Sequence, residues 1–158
     1  MGFRMRAALT WLFESRMESS LSAAVVKTGI ALESLLVFDE SEQIGKSLSE
    51  RIAFVASTDP KMRRQLNIAV RKFYNSRSGI DHGGRRKIRT SSSSLIQGVD
   101  RIMLLTCLAI AANPTMNNSV KGLSDYCDDQ RWGAPDPQIR TPFPAAYLRQ
   151  AVKLCLES

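Results

Sequence analysis

The sequence predicts an all-α protein: a bundle of five to six helices followed by an irregular, proline-rich C-terminal extension. Apolar residues recur at three- and four-residue spacings through the first 112 positions, and no segment alternates apolar and polar residues as a strand would. Five of the six prolines lie between Pro114 and Pro144, which argues against long helices there. We therefore expect a bundle over residues 1–112 and an extension over 113–158 that packs on the same domain.

Apolar stripes define the first three predicted helices. Residues 3–17, 20–38 and 41–57 each carry large apolar residues about one helical turn apart. In the first of these segments the stripe consists of Phe3, Leu9, Leu12, Phe13 and Met17. We expect three amphipathic helices, each of which buries one apolar face.

A fourth helix is predicted to begin at Pro60, because Asp59 can cap it and proline is favoured at the first helical position. Its apolar stripe consists of Leu66, Val70 and Phe73. At helical spacing this stripe continues to Arg77, an unusual place for an arginine. We expect the helix to end at residue 78, because Gly79 follows.

Ser94 and Gln97 form a plausible capping box for a fifth helix over residues 95–112. The apolar run from Ile102 to Ala112 is shorter than the roughly 18 residues of a membrane span, so we interpret it as a buried helix and expect no membrane partner. A short last helix is predicted from Ala145 to Leu156, after the final proline.

Positive charge is concentrated in one segment. The chain has a formal net charge of +7, and eight basic residues against two acidic ones lie between Arg71 and Arg101. The rest of the chain is close to neutral. Such a focused positive field favours polyanions as partners, nucleic acid first and anionic lipid second.

Metal and disulfide chemistry are not supported by the sequence. Cys107, Cys127 and Cys155 are odd in number and widely spaced, which favours reduced thiols. With one histidine and no compact group of cysteines and acidic residues, we expect no metal and no other cofactor. The N-terminus carries no recognisable secretion or lipidation signal, so we expect a cytoplasmic protein.

The single histidine, His82, follows Arg77 by five residues. Cleavage of an RNA backbone needs a group that titrates near neutrality and a fixed positive charge at the phosphate, which imidazole and guanidinium supply. The 2′-hydroxyl is the nucleophile, so the reaction requires no metal and DNA lacks the reacting group. The alternative is structural, with His82 in a turn and Arg77 capping helix carbonyls or pairing with an acid.

Three stretches together resemble the HEPN superfamily, specifically its ApeA-like branch. They are ALESLLVF at 31–38, ESEQIGKSLSERIAFVAS at 40–57 and YNSRSGIDHG at 74–83, and the resemblance covers about residues 7–112. It implies a HEPN-like helical bundle that commonly dimerises and brings two R-x-x-x-x-H motifs into one composite, metal-independent ribonuclease site. Many relatives serve in antiphage defence or in toxin–antitoxin systems.

The resemblance implies that Arg77 and His82 are the catalytic pair. Supporting roles are expected for Ser78, Glu33, Tyr74 and Asp81. The residues themselves leave alternatives open: Glu33 simply holds Arg77 in place across the bundle, Tyr74 is a core residue with its hydroxyl at the edge, and Asp81 either orients the imidazole or lies in solvent.

A basic loop follows the motif, and it consists of Arg85, Arg86, Lys87 and Arg89. It is either a solvated loop or a surface that holds RNA phosphates without reading bases.

The leading hypothesis is therefore an endoribonuclease that acts as a homodimer on RNA, as a defence or toxin effector. The alternatives are a non-catalytic RNA-binding or assembly module and a protein-interaction domain whose basic face docks an acidic antitoxin or a lipid. ApeA-like domains usually form the C-terminal part of larger proteins, so an excised or degenerate module of a larger defence protein is a further interpretation.

Overall fold

The computed structural model describes the backbone of residues 1–39, 43–83, 92–132 and 141–158, and the side chains of these residues except 78–83, 92 and 132. The described residues form eight helices and no strand, which confirms the all-α prediction. The helices are α1 (Gly2–Arg16), α2 (Leu21–Leu36), α3 (Ile44–Ala56), α4 (Pro60–Gly83), α5 (Ser92–Ala112), α6 (Pro114–Asn118), α7 (Val120–Trp132) and α8 (Ala145–Leu156).

Helix α5 lies at the centre of the packing and contacts α2, α3, α4, α6 and α8. Helix α1 packs on α2, and α3 packs on α4. The side chains that fill the space between these helices are fully buried and include Leu32, Leu35, Leu36, Ile52, Leu66, Phe73, Ile102 and Met103. Burying a side chain of this size contributes about 1.5–3 kcal/mol, so each of these residues stabilises the fold substantially.

Local capping fixes where two central helices begin. The Ser20 hydroxyl accepts a hydrogen bond from the Ala23 amide at the start of α2, and the Asp59 carboxylate accepts one from the Lys61 amide at the start of α4. The predicted start of the fourth helix is therefore confirmed. At the other end of α2, arginines from neighbouring helices donate to its last carbonyls: Arg4 to Val37 and Arg51 to Leu36.

Helix α4 does not end where the sequence predicted. It continues through Gly79 and ends at Gly83, so residues 80–82 lie inside the helix rather than past its end. A glycine inside a helix costs only about 1 kcal/mol relative to alanine, which a continuous hydrogen-bonded helix tolerates. The fifth helix likewise begins earlier than predicted, because Ser94 lies within α5 rather than at its cap.

The predicted irregular extension is largely helical where the structure describes it. The described residues between 113 and 132 form α6 and α7, and α7 was not predicted. Pro114 occupies the first helical position of α6, where proline is favoured. No proline lies between Pro114 and Pro135, so no proline interrupts α7. The prediction used the proline content of the whole segment and therefore overlooked α7, which contains no proline. The predicted last helix, Ala145–Leu156, is confirmed as α8, which packs on α5 and α4.

The first predicted apolar stripe does not form the buried face of α1. Its buried residues are Ala8, Leu12 and Ser15. The exposed large apolar side chains of this region are Phe3, Leu9, Phe13 and Met17. Of the predicted stripe, only Leu12 packs in the core.

One helix of the described chain, Ser93–Ala112, is long and apolar enough to cross a membrane by length and composition. Most of its apolar window is buried inside the bundle, as expected for the core helix of a globular protein.

Candidate functional site

Glu33 and Arg77 meet where α4 passes α2. Arg77 Nη1 lies 2.8 Å from Glu33 Oε1, and Arg77 Nη2 donates to Glu33 Oε2 at 3.4 Å. The two parallel contacts match the fork of a guanidinium to the two oxygens of a carboxylate. The arginine side chain is 16% exposed and the glutamate side chain 24% exposed, so the pair lies at the rim of the core rather than in open solvent.

Tyr74 completes the contact between the two helices. Its hydroxyl donates to Glu33 Oε1 at 2.8 Å and accepts from Arg77 Nη1 at 3.0 Å. The Arg77 guanidinium also lies 5.3 Å from the centre of the Tyr74 ring, within range of a cation–π interaction. Three side chains thus form one closed hydrogen-bonded cluster, which fixes the orientation of the guanidinium.

Two glycines give this cluster its room. A Cβ atom on Gly29 of α2 would lie 2.4 Å from Arg77 Cδ and 2.5 Å from its Nε. A Cβ atom on Gly45 of α3 would lie 2.9 Å from Tyr74 Cδ1. All three distances are below van der Waals contact, so a side chain at position 29 or 45 would overlap Arg77 or Tyr74 in its present place.

Arg77 extends the apolar stripe of α4 as predicted. Leu66, Val70 and Phe73 are fully buried, and Arg77 follows on the same face with its stem against Gly29 and its head on Glu33. The stripe therefore carries the guanidinium to the edge of the core, where a carboxylate compensates for its partial burial.

The structure brings three of the six proposed catalytic and supporting residues together, namely Glu33, Tyr74 and Arg77. The backbones of Ser78, Asp81 and His82 lie in α4, and their side chains are outside the described part of the chain. Arg85, Arg86, Lys87 and Arg89 also lie outside the described residues.

The continuation of α4 changes the relation between the two motif positions. Residues five apart in an α-helix are about 7.5 Å apart along the axis and about 140° apart around it. Positions 77 and 82 of one chain therefore do not share a helix face. The predicted helix end at residue 78, between the two positions, is wrong, because α4 continues through both.

A second polar cluster joins α1, α2 and α5. Thr28 donates to Asp100 at 3.4 Å, its hydroxyl lies 2.7 Å from that of Ser15, and Arg16 Nε lies 3.3 Å from the Asp100 carboxylate. Burial raises the pKa of Asp100 above its ordinary value, and the hydrogen bond and charge of Arg16 only partly oppose this shift. No local sequence pattern indicates this cluster, because its residues come from three different helices.

The cysteines are not candidates for nucleophilic chemistry. Cys107, Cys127 and Cys155 are free and buried. Burial raises the pKa of the Cys107 thiol to about 11 and of the Cys127 and Cys155 thiols to about 12, so each is a thiol at neutral pH. Within the described part of the chain, no group of three histidine, cysteine or acidic side chains is arranged to hold a metal ion.

A cleft of about 320 Å³ opens beside the Glu33–Tyr74–Arg77 cluster and is lined by Tyr74 together with Gly45, Lys46 and Arg71. It joins a larger cleft of about 740 Å³ between α3 and α4, since Lys46 and Gln43 line both. Gly45, Lys46, Arg71 and Gly29 were not among the predicted site residues. A glycine inside a helical pattern, such as Gly29, is the one local signal of close approach that was available.

No protein-family model matches the chain, and comparisons with curated proteins and with solved structures give no match either.

Proposed function

We propose that this protein is a metal-independent endoribonuclease of the HEPN type, in which Arg77 and His82 of two protomers form a composite site. The observation that carries the proposal is the fixed orientation of the Arg77 guanidinium on Glu33 and Tyr74 at the rim of the core. A phosphate-binding arginine is effective when its direction is set before the substrate arrives, and this cluster sets it.

In this mechanism the imidazole of His82 accepts the proton of a 2′-hydroxyl or protonates the leaving 5′-oxygen. The 2′-oxygen attacks the adjacent phosphorus, the bond to the 5′-oxygen breaks, and the products carry a 2′,3′-cyclic phosphate and a 5′-hydroxyl. The guanidinium of Arg77 stabilises the negative charge that develops on the phosphate oxygens. Glu33 and Tyr74 are positioning residues that act through Arg77.

The helical register favours a site built in trans. Positions 77 and 82 of one chain are about 140° apart around α4, which supports a site in which the histidine facing each arginine comes from a second protomer. The basic residues Arg85, Arg86, Lys87 and Arg89 are proposed to hold flanking phosphates.

One observation favours a second candidate function. The pairing of Arg77 with Glu33 and Tyr74 accounts for the place of the arginine without any catalytic role. By that account the chain is a non-catalytic RNA-binding or assembly module that keeps the motif because it joins α2 to α4.

Incubation of purified protein with labelled RNA in EDTA tests the proposal. We expect cleavage by the wild-type protein, no cleavage of DNA of the same sequence, and a loss of at least about 100-fold in rate for His82→Ala and for Arg77→Ala. The matched control is Arg149→Ala, which removes an exposed arginine from α8 and should leave the rate unchanged.

Arg77→Ala leaves the Glu33 carboxylate with fewer partners, so its folding is checked by thermal unfolding. Arg77→Lys provides a second variant that keeps the positive charge and loses the planar fork. Equal cleavage by wild type, His82→Ala and Arg77→Lys would refute the proposal, because a contaminating nuclease does not depend on these residues.

A further inference from the structure

The surface between α3 and α4 carries positive charge that no described residue neutralises. We call it the α3–α4 groove and define it by Lys46, Arg64, Arg71 and Tyr74, which line the two adjoining clefts. Lys46, Arg64 and Arg71 are exposed, and none forms an ion pair with a residue that the structure describes.

The other charged residues of the larger cleft have partners. Arg131 lies 2.7 Å from Glu50, and Arg63 donates to the Ser57 carbonyl and to the Gln130 side chain, both at 2.6 Å. Glu50, the one acidic residue lining the described clefts, is therefore already paired. The three remaining cations give the groove a net positive charge.

Two of the groove cations lie in a row along α4, and the cleft beside them reaches Tyr74 of the candidate site. Arg64 and Arg71 lie seven residues apart on α4, which places them on one helix face with a rise of about 10.5 Å between them. Tyr74, about 60° around the helix from Arg71, lines the same cleft as Arg71, and its hydroxyl contacts Arg77. A chain that follows the row of cations therefore arrives at the Glu33–Tyr74–Arg77 cluster.

Aromatic and amide groups accompany the cations. The rings of Phe54 and Tyr74 line the two parts of the groove. On the α4 wall, Asn67 lies between Arg64 and Arg71, and Asn75 follows Arg71. A positively charged groove with aromatic rings along it is the combination that binds single-stranded nucleic acid without sequence preference.

We propose that the α3–α4 groove binds the phosphate backbone of single-stranded RNA and directs it towards Arg77. The part of this inference that directs RNA towards Arg77 rests on the proposed function, whereas RNA binding in the groove does not require cleavage. RNA is favoured over an acidic protein because the cations form a row that matches a regularly charged backbone. It is favoured over a lipid surface because the cations lie in a concave groove rather than on a flat face.

The test measures RNA binding by fluorescence anisotropy in a His82→Ala background, so that cleavage does not interfere. The groove variant combines Lys46→Ala, Arg64→Ala and Arg71→Ala. The control variant combines Arg6→Ala, Arg101→Ala and Arg149→Ala, which removes the same charge from exposed positions outside the groove. The probe is a labelled single-stranded RNA of about 20 nucleotides, between about 50 and 200 mM salt.

We expect the groove variant to lose roughly 10- to 100-fold in affinity near physiological salt and about 2 units of slope in the logarithmic salt dependence, as the loss of three phosphate contacts predicts. The control variant should lose much less. Equal losses in the two variants would overturn the proposal, since only net charge would matter. It would also be overturned if the groove variant lost binding to an acidic peptide or to anionic vesicles while RNA binding was absent or unchanged.

The two proposals fail separately. If the wild-type protein does not cleave RNA but the groove variant alone loses RNA binding, the groove assignment stands and the ribonuclease assignment falls. If the wild-type protein cleaves RNA while groove and control variants bind it equally, the opposite conclusion holds.

Discussion

Two arginine–carboxylate clusters pack against α2, and they bury opposite halves of the ion pair. In the Glu33–Tyr74–Arg77 cluster the arginine is the more buried partner, with 16% of its side chain exposed against 24% for the glutamate. In the cluster around Asp100 the acid is 7% exposed, whereas its partner Arg16 is 49% exposed. The first cluster orients a cation, and the second shelters an anion.

The contacts around Arg77 are also shorter than those around Asp100. Arg77 lies 2.8 Å from Glu33 and 3.0 Å from the Tyr74 hydroxyl. Among the described residues, the Asp100 carboxylate has longer contacts, 3.3 Å to Arg16 and 3.4 Å to Thr28, and burial is the largest cause of its raised pKa. A buried ion pair is weak evidence for stability in general, because desolvation offsets its attraction. The short contacts of Arg77 and its close approach to Gly29 hold the guanidinium in one orientation, and this effect does not depend on a net gain in the free energy of folding.

The largest effect is expected from Gly29→Ala. The new methyl group would overlap the Arg77 side chain, so we expect a loss of about 1–3 kcal/mol in the free energy of unfolding. In an Arg77→Ala background the overlap disappears, and the same substitution should stabilise the helix by up to about 1 kcal/mol. Urea unfolding of the wild type, Gly29→Ala, Arg77→Ala and the double variant measures the effect of Gly29→Ala in both backgrounds.

Gly2→Ala provides the matched glycine control, because nothing lies within 4 Å of a Cβ atom at that position. The same destabilisation by Gly29→Ala in both backgrounds would show that Arg77 does not need the space above Gly29.

Double-mutant cycles compare the two ion pairs directly. The cycle of Glu33→Gln with Arg77→Met should give a coupling energy of about 1–2 kcal/mol, since both partners are largely buried. The cycle of Asp100→Asn with Arg16→Met should give less than about 1 kcal/mol, because Arg16 is half exposed. Chemical denaturation supplies both numbers. A larger coupling for the Asp100 cycle would reverse the comparison.

A smaller effect is expected in the pH dependence of stability. Since burial raises the pKa of Asp100, the folded chain keeps this proton to higher pH than the unfolded chain does. The contribution of Asp100 is therefore most favourable below the ordinary carboxyl pKa and is lost as pH rises through the folded-state value. Asp100→Asn lacks this titration, so its stability relative to wild type should increase with pH.

Unfolding curves across this acidic range check the sign. Asp125→Asn, at an exposed position of α7, controls for the removal of one negative charge. A stability of Asp100→Asn that falls relative to wild type as the pH rises would contradict the expected direction.

Features that depend on neighbours in the sequence were predictable. The start of α4 follows from Asp59 and Pro60, and the place of Arg77 on the apolar stripe follows from the helical period. Both depend on interactions within a few residues, which composition and spacing reveal. The contact of Arg77 with Glu33 is one of the two roles that the sequence allows for Glu33, because a partly buried guanidinium requires an acidic partner.

Features that depend on competition or on long-range packing were not predictable. Gly79 weakens a helix only slightly, so its local preference did not stop α4. The stripe on α1 indicates an amphipathic helix but not which face meets α2, and Phe3, Phe13 and Met17 remain exposed. The α3–α4 groove combines residues from two helices, and no local pattern in either one reveals it.

Subunit mixing tests the central claim most directly. Arg77→Lys and His82→Ala proteins are assayed alone and as an equal, re-equilibrated mixture, and the measured quantity is the rate at which fragments with 2′,3′-cyclic phosphate ends form from RNA in EDTA. If the composite site consists of two independently acting halves, each pairing Arg77 of one protomer with His82 of the other, each variant alone is inactive. The mixture then recovers about a quarter of the wild-type rate, because about half of the dimers are mixed and each mixed dimer carries one intact half. Wild-type rates for either variant alone, or two inactive variants whose mixture recovers nothing, would contradict the composite site.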